Sequence, residues 1–116
     1  AKALAAFAAA QGLTAAVVPL EGWADHGASL VLSTVPVGAS AGLVEAAQSS
    51  RAVLSDVVLF DVVYADWPSP LASAVAAAGG GIVSGLEMLI HQAVRQFELF
   101  TGLPVDVDVL RAAVER

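Results

Sequence analysis

Cysteine is absent from this 116-residue chain, which excludes disulfides, thiolate metal sites and a cysteine nucleophile. Charge is scarce: Asp, Glu, Lys and Arg make up 14% of the residues, and only 5 of them are basic. The formal net charge of −6 repels phosphate backbones, so nucleic acid is not an expected partner. The 2 histidines, His26 and His91, lie far apart with no spacing that suggests a metal. No basic region followed by an apolar run and a cleavage site marks a signal peptide, and the absence of cysteine is compatible with the cytosol, so a cytoplasmic location is expected. From Trp67 to Leu86 no residue is charged, which approaches the length of a membrane span. Pro68, Pro70 and Gly79-Gly80-Gly81 interrupt that stretch, and its bulk is weakly apolar. A helix, a glycine turn and a short strand explain it better, and no membrane partner is expected.

What is abundant is hydrophobic surface. Apolar residues are 58% of the chain, which argues against disorder and suits an α/β protein with strands buried on both faces. Residues 1–11 have a helical pattern closed by Gly12. Thr14 to Leu20, Ser29 to Thr34, Val57 to Tyr64 and Gly81 to Ser84 are the expected strands. Leu43 to Gln48, Pro68 to Ala78, Gly85 to Thr101 and a last segment capped by Asp106 or Asp108 and ending near Arg116 are the expected further helices. Strands alternating with helices predict βαβ units and a parallel sheet. No internal repeat or linker divides the chain.

Three places could carry chemistry. The run Ser33-Thr34-Val35-Pro36-Val37-Gly38 ends a buried strand. Ligands of open α/β sheets bind outside the carboxyl ends of strands, although a plain strand-ending turn fits equally well. Tyr64 is expected to end the next strand at the same edge, either with its hydroxyl reaching a ligand or simply packed. The helix from Gly85 shows three faces at 100° per residue. Leu86, Leu89, Ile90, Ala93, Phe97 and Phe100 are apolar, and Glu87, His91, Arg95 and Glu98 form a charged stripe with favourable i,i+4 pairs. Gly85, Met88, Gln92 and Gln96 form an uncharged third stripe. An amide there can both donate to and accept from a polyhydroxylated ligand, and an ordinary surface glutamine is the plainer reading. Gly79, Gly81 and Gly85 imitate a nucleotide loop, but they follow a helix where a dinucleotide fingerprint follows a strand. No strand-turn-helix elbow surrounds a serine, so hydrolase chemistry has little support.

An ordered series then resembles a known family. Asp61-Val62-Val63-Tyr64, Trp67-Pro68-Ser69-Pro70-Leu71, Gly85 through Ala93, Phe97 and Thr101-Gly102 together resemble the shikimate dehydrogenases. Ser33 to Gly38 resembles that family's Asn-Thr-Thr-Pro-x-Gly element, and residues 1–12 look like the helix after its NADP-phosphate motif. The resemblance implies a partial Rossmann-like parallel sheet, the later half of an NADP-binding domain over 1–102, with a C-terminal helix over 103–116. It implies reversible reduction of 3-dehydroshikimate to shikimate with NADPH, in the chorismate route to aromatic amino acids. It matches Tyr64 and Gln92 to substrate-binding positions. It matches Val62 and Gly85 to contacts of the nicotinamide end of NADP, with Met88 near them and Thr34, Val35 and Pro36 in the preceding cofactor element. Ser33, Val35 and Ser69 depart from the usual Asn, hydroxyl residue and Thr.

The family's catalytic Lys and Asp, its glycine-rich loop and its NADP-selecting element have no counterpart in this sequence, so the chain reads as a fragment that is inactive alone. A quinate/shikimate dehydrogenase using NAD and a non-catalytic ligand-binding paralogue are the alternatives. In the doubly wound order 3-2-1-4-5-6, the expected strands are 3, 4, 5 and 6, which leaves strand 3 without a neighbour and strand 4 with a bare edge. Pairing with the missing segment, pairing into a homodimer, or rearrangement of the strands is the expected consequence.

Overall fold

The computed structural model describes residues 1–49 and 54–114. Helix α1 (Lys2–Ala10) is followed by strand β1 (Leu30–Ser33), helix α2 (Ala41–Ser49), strand β2 (Val58–Asp61) and helix α3 (Pro70–Ala77). Strand β3 (Gly81–Ser84) runs directly into the long helix α4 (Gly85–Thr101), and α5 (Val107–Val114) closes the described chain. Arg116, where the last helix was expected to end, lies outside the described residues.

The three strands form one parallel sheet in the order β1-β2-β3. Parallel neighbours need a crossover, not a tight turn, and α2 and α3 supply the two crossovers. Side chains alternate across the sheet with period two. Val31, Leu59 and Ile82 form one register row and join Leu43, Leu71, Ala72 and Val75 of α2 and α3 in the main core. Leu59 and Val75 are wholly buried, each contributing about 1.5–3 kcal/mol relative to exposure. Trp23, in a 3₁₀ turn at Leu20–Asp25, packs on this core and donates its indole N–H to the Leu43 carbonyl at 3.1 Å. Ser69 caps α3, its hydroxyl oxygen accepting the Ala72 N–H at 3.1 Å, and Pro70 occupies the first helical position, as the sequence leads one to expect.

The opposite face of the sheet is different. Leu30, Leu32, Val58 and Val83 are all exposed, and together with Phe60 they floor a trough of about 770 Å³ walled by α4. Total accessible surface is 7834 Å² for 11.7 kDa, against roughly 5,900 Å² for a compact monomer of that mass. The radius of gyration, 16.7 Å, likewise exceeds the roughly 13 Å of a compact domain of this length.

Two expectations need correction. Thr14 to Leu20 is not a strand: it makes no ladder with any described residue, and Leu20 begins the 3₁₀ turn. Its apolar pattern is strand-like, but a strand exists only through a partner's backbone groups, and among the described residues no strand pairs with it. Leu13, Val17, Val18 and Leu20 are exposed, as are Leu4 and Phe7 of α1. Likewise, Tyr64 does not end a strand. Strand β2 stops at Asp61, because the next polar groups turn elsewhere: the Val63 N–H donates to the Asp61 carboxylate at 3.3 Å, and the Val63 carbonyl accepts from Gly85 N–H at 3.1 Å.

Helix α4 shows the expected three faces, each with its own outcome. Leu86, Leu89, Ile90 and Ala93 meet Leu110, Ala113 and Val114 of α5, whereas Phe97 and Phe100 stay exposed. The charged stripe is tied differently from the expected i,i+4 pattern. Arg95 pairs with Glu98 at i,i+3, and Glu87 reaches α5, where Arg111 donates to both its oxygens at 2.8 and 3.3 Å. The Arg111 hydrogen bond holds the Glu87 carboxyl below its ordinary value. A depressed carboxylate pKa stabilises the fold fully above the ordinary value and loses that contribution as pH falls through the depressed one. Acidification should therefore loosen the hold of α5 on α4, seen as modestly faster amide exchange in Val107–Val114, and Glu87→Gln should reduce that pH dependence. Equal pH profiles for the two proteins would show that the pair does not hold α5.

Candidate functional site

The last register row of the sheet is Ser33, Asp61 and Ser84. One residue beyond it, on three consecutive strand ends, stand Thr34, Val62 and Gly85. Parallel strands bring their carboxyl ends to one edge, and open α/β sheets bind ligands there. The register therefore gathers three of the sequence-selected residues from positions as much as 51 apart in number. Thr34 is exposed, Val62 half-buried and Gly85 buried. Val35 is half-buried and packs on the main core. Pro36 is exposed and leads into a 3₁₀ turn at Val37–Ala39.

Two backbone contacts lock this edge. The Val62 N–H donates to the Ser33 carbonyl at 3.0 Å, and the Gly85 N–H donates to the Val63 carbonyl at 3.1 Å. The second brings the start of α4 against the chain leaving β2. A Cβ on Gly85 would lie 1.9 Å from the Val62 carbonyl oxygen and 2.4 Å from its carbon, so a glycine is needed there for packing alone.

Beyond Gly85, Met88 and Gln92 follow at i+3 and i+7 on one side of α4. Met88 is half-buried and Gln92 exposed, and both line the trough over Leu32, Phe60 and Val83. Glu87, His91 and Arg95 share that wall. Tyr64 lies in the loop beyond Val62 and is 56% exposed. The loop passes Asp66, at φ +52°, and returns through a cis Trp67–Pro68 bond to Ser69.

Asp61 escapes a motif-by-motif reading. It is 2% exposed, and its carboxylate accepts the Ser69 hydroxyl at 2.7 Å and the Val63 N–H at 3.3 Å. A single acid inside the apolar run Val57 to Tyr64 is the signal that could have found it, since a buried charge must be hydrogen-bonded. Among the described residues no group of three or more His, Asp or Glu could hold a metal ion, and no helix is long and apolar enough to cross a membrane.

Residues 85–115 match the family model of the shikimate 5'-dehydrogenase C-terminal domain. A shikimate dehydrogenase (NADP(+)) of Leptospira interrogans is 36% identical over 88 residues, covering 76% of this chain and 30% of that protein. One of Nitrobacter winogradskyi is 51% identical over 61 residues, covering 52% of this chain and 22% of its own length. The crystal structure of Mycobacterium tuberculosis shikimate dehydrogenase superposes with a TM-score of 0.79 at 35% identity, over 99% of this chain and 42% of that one.

This chain matches a C-terminal part of the shikimate dehydrogenases.

It spans between about a fifth and about a third of the length of the curated relatives it matches, from 19% to 36%. A quinate dehydrogenase of Corynebacterium glutamicum, solved in complex with NAD, also superposes, with a TM-score of 0.74 at 33% identity over 97% of this chain and 41% of that one. The parallel sheet and C-terminal helices are thus the shikimate dehydrogenase arrangement, and these relatives are oxidoreductases.

The close approach at Gly85 gives a direct test. Gly85→Ala should destabilise the fold by about 2–4 kcal/mol, because backbone must move to admit the methyl group. Gly42→Ala is the control: nothing lies within 4 Å of its added Cβ, and a helical Gly-to-Ala change stabilises by up to about 1 kcal/mol. Chemical denaturation of both variants measures the contrast, and equal midpoints would contradict the packing at Gly85.

Proposed function

We propose that this chain forms the C-terminal part of an NADP-dependent shikimate dehydrogenase that interconverts 3-dehydroshikimate and shikimate in cytoplasmic chorismate biosynthesis. The observation that carries the proposal is the carboxyl edge itself. Register places Thr34, Val62 and Gly85 on adjacent strand ends, and α4 continues from them with Met88 and Gln92. The sequence match to NADP(+)-named relatives supports the choice of cofactor.

The residues present fit the nicotinamide end of such a cofactor. Gly85 allows backbone to come close, and Val62, Val35 and Met88 are uncharged and half-buried. NADPH, when bound, supplies the hydride for the substrate carbonyl. In this proposal Thr34, Val35, Pro36, Val62, Gly85 and Met88 would hold the nicotinamide end and would limit water there. Gln92 and Tyr64 orient the polyhydroxylated ring: the glutamine amide both donates and accepts, and the phenol does the same. The proton-transferring Lys and Asp of the family have no counterpart in these residues, so the 116-residue chain alone is expected to turn over no shikimate. The assignment of 1–102 to the cofactor domain and 103–116 to a separate C-terminal helix belongs to this proposal. A quinate dehydrogenase using NAD is the second reading, favoured by the structural match to the Corynebacterium protein.

Steady-state kinetics on the full-length enzyme test the assignment. Gln92→Ala should weaken shikimate binding by about 1–3 kcal/mol through a lost polar contact, with NADP affinity nearly unchanged. Unaltered shikimate KM and kcat would remove Gln92 from the site, and faster turnover of quinate with NAD would favour the second reading.

The proposal includes a polypeptide partner. The trough side of the sheet and the free edge of β1 are apolar and uncovered, and the exposed surface exceeds that of a compact chain by roughly 1,900 Å². Pairing with the rest of the enzyme, or with a second copy when the chain is alone, would cover them. Light scattering on the purified chain should give a mass above 11.7 kDa, reduced by Leu32→Lys. A stable monomer at every concentration would oppose it.

A further inference from the structure

We propose that Asp61 is a positioning residue: with Ser69 it clamps the loop 62–69 at the carboxyl edge, and so sets where Val62 and Tyr64 meet the ligands. The inference rests on the functional reading above, which puts Val62 and Tyr64 at the site. Its geometry is independent of that reading. Asp61 is the last residue of β2 and is 2% exposed, and Ser69 is equally buried. One carboxylate oxygen accepts the Ser69 hydroxyl at 2.7 Å, and the other accepts the Val63 N–H at 3.3 Å. The hydroxyl oxygen of Ser69 accepts in turn from Ala72 N–H at 3.1 Å. A single side chain thus holds the first turn of the loop, its last residue and, through Ser69, the start of α3.

Tyr64, Ala65 and Asp66 between those ties are exposed. Trp67 packs on the main core, which anchors the returning limb but not the outgoing one. The outgoing limb, Val62 to Tyr64, is tied to the Asp61 carboxylate, the Ser33 carbonyl and the Gly85 N–H. A buried carboxylate without such donors would be costly. A neutral hydrophobe would fill the space and leave the Val63 N–H and the Ser69 O–H without an acceptor. The need for an acceptor of two hydrogen bonds therefore explains an acid at this point of an apolar strand better than packing does.

The test uses Ser69→Ala, which removes the hydroxyl, Ser69→Thr, which keeps it, and Asp61→Asn, whose amide can accept one of the two bonds but not both, all in the full-length enzyme. Amide exchange in residues 62–66 should rise about tenfold or more in Ser69→Ala and Asp61→Asn, and stay within about threefold of wild type in Ser69→Thr, as loss of one charge-assisted hydrogen bond predicts. Exchange in β1 and β3 should not change. Shikimate kcat/KM should fall about tenfold in the first two variants and recover in Ser69→Thr. A uniform rise in exchange across the sheet, or normal kinetics per folded molecule despite lower thermal stability, would make the pair merely structural and overturn the proposal. If the wild-type enzyme does not oxidise shikimate, the functional reading fails by itself. The exchange contrast between Ser69→Ala and Ser69→Thr then still decides the clamp, with equal exchange overturning it.

Discussion

The contact between Gly85 and the chain leaving β2 is the constraint on which the rest of the site depends. Two backbones meet where the Gly85 N–H donates to the Val63 carbonyl, and the Val62 carbonyl occupies the space of any side chain at 85. That contact fixes where α4 starts relative to the sheet. A helix advances 1.5 Å per residue and turns 100°, so fixing its first residue fixes the azimuth of every later one. Met88 and Gln92 face the trough, Ile90 is buried, and Glu87 reaches Arg111, because one glycine sets the phase.

Regular elements were legible where their signal is local. The apolar run before Asp61, the Ser69-Pro70 helix start and the long helix closed by Gly102 at φ +70° carry their determinants within a few residues. So does the grouping at the carboxyl edge, since parallel strands force it. The segment Thr14 to Leu20 misled for the opposite reason: its pattern is that of a strand, but strand formation depends on a neighbour the local sequence cannot display. Val62, Val63 and Tyr64 continue the apolar run and so read as strand, and only the tertiary contact with Gly85 takes their backbone groups out of the ladder. Asp61 was visible as a letter within a resembling motif, but its work depends on Ser69, eight positions on. The tie from Glu87 to Arg111 spans 24 positions and leaves no periodic trace.

The two faces of the sheet differ in what they need. On the α2 and α3 side, Leu59, Leu71, Ala72 and Val75 are closed off from water by elements the chain itself supplies. On the other side the same strands show Leu30, Leu32, Val58 and Val83 to solvent, where burial would return roughly 25 cal/mol per Å². Exposed apolar surface of this kind is characteristic of surfaces that other polypeptide covers, and it is the opposite of the closed core on the other face.

That asymmetry does not extend to the carboxyl edge. Each group that shapes the edge is held from the covered side or by backbone: Asp61 and Ser33 point inward with the buried row, Ser69 is tied to α3, and Gly85 is tied to Val63. None of these ties uses the open face. The edge therefore keeps its shape independently of the open face, because the two have different neighbours. Gln92 and Met88 are the exception. They stand on the wall of the trough, and whatever covers Leu32 and Phe60 also closes the space beside them. The geometry of the carboxyl edge is thus set by covered and backbone contacts, whereas Gln92 stands on the open trough.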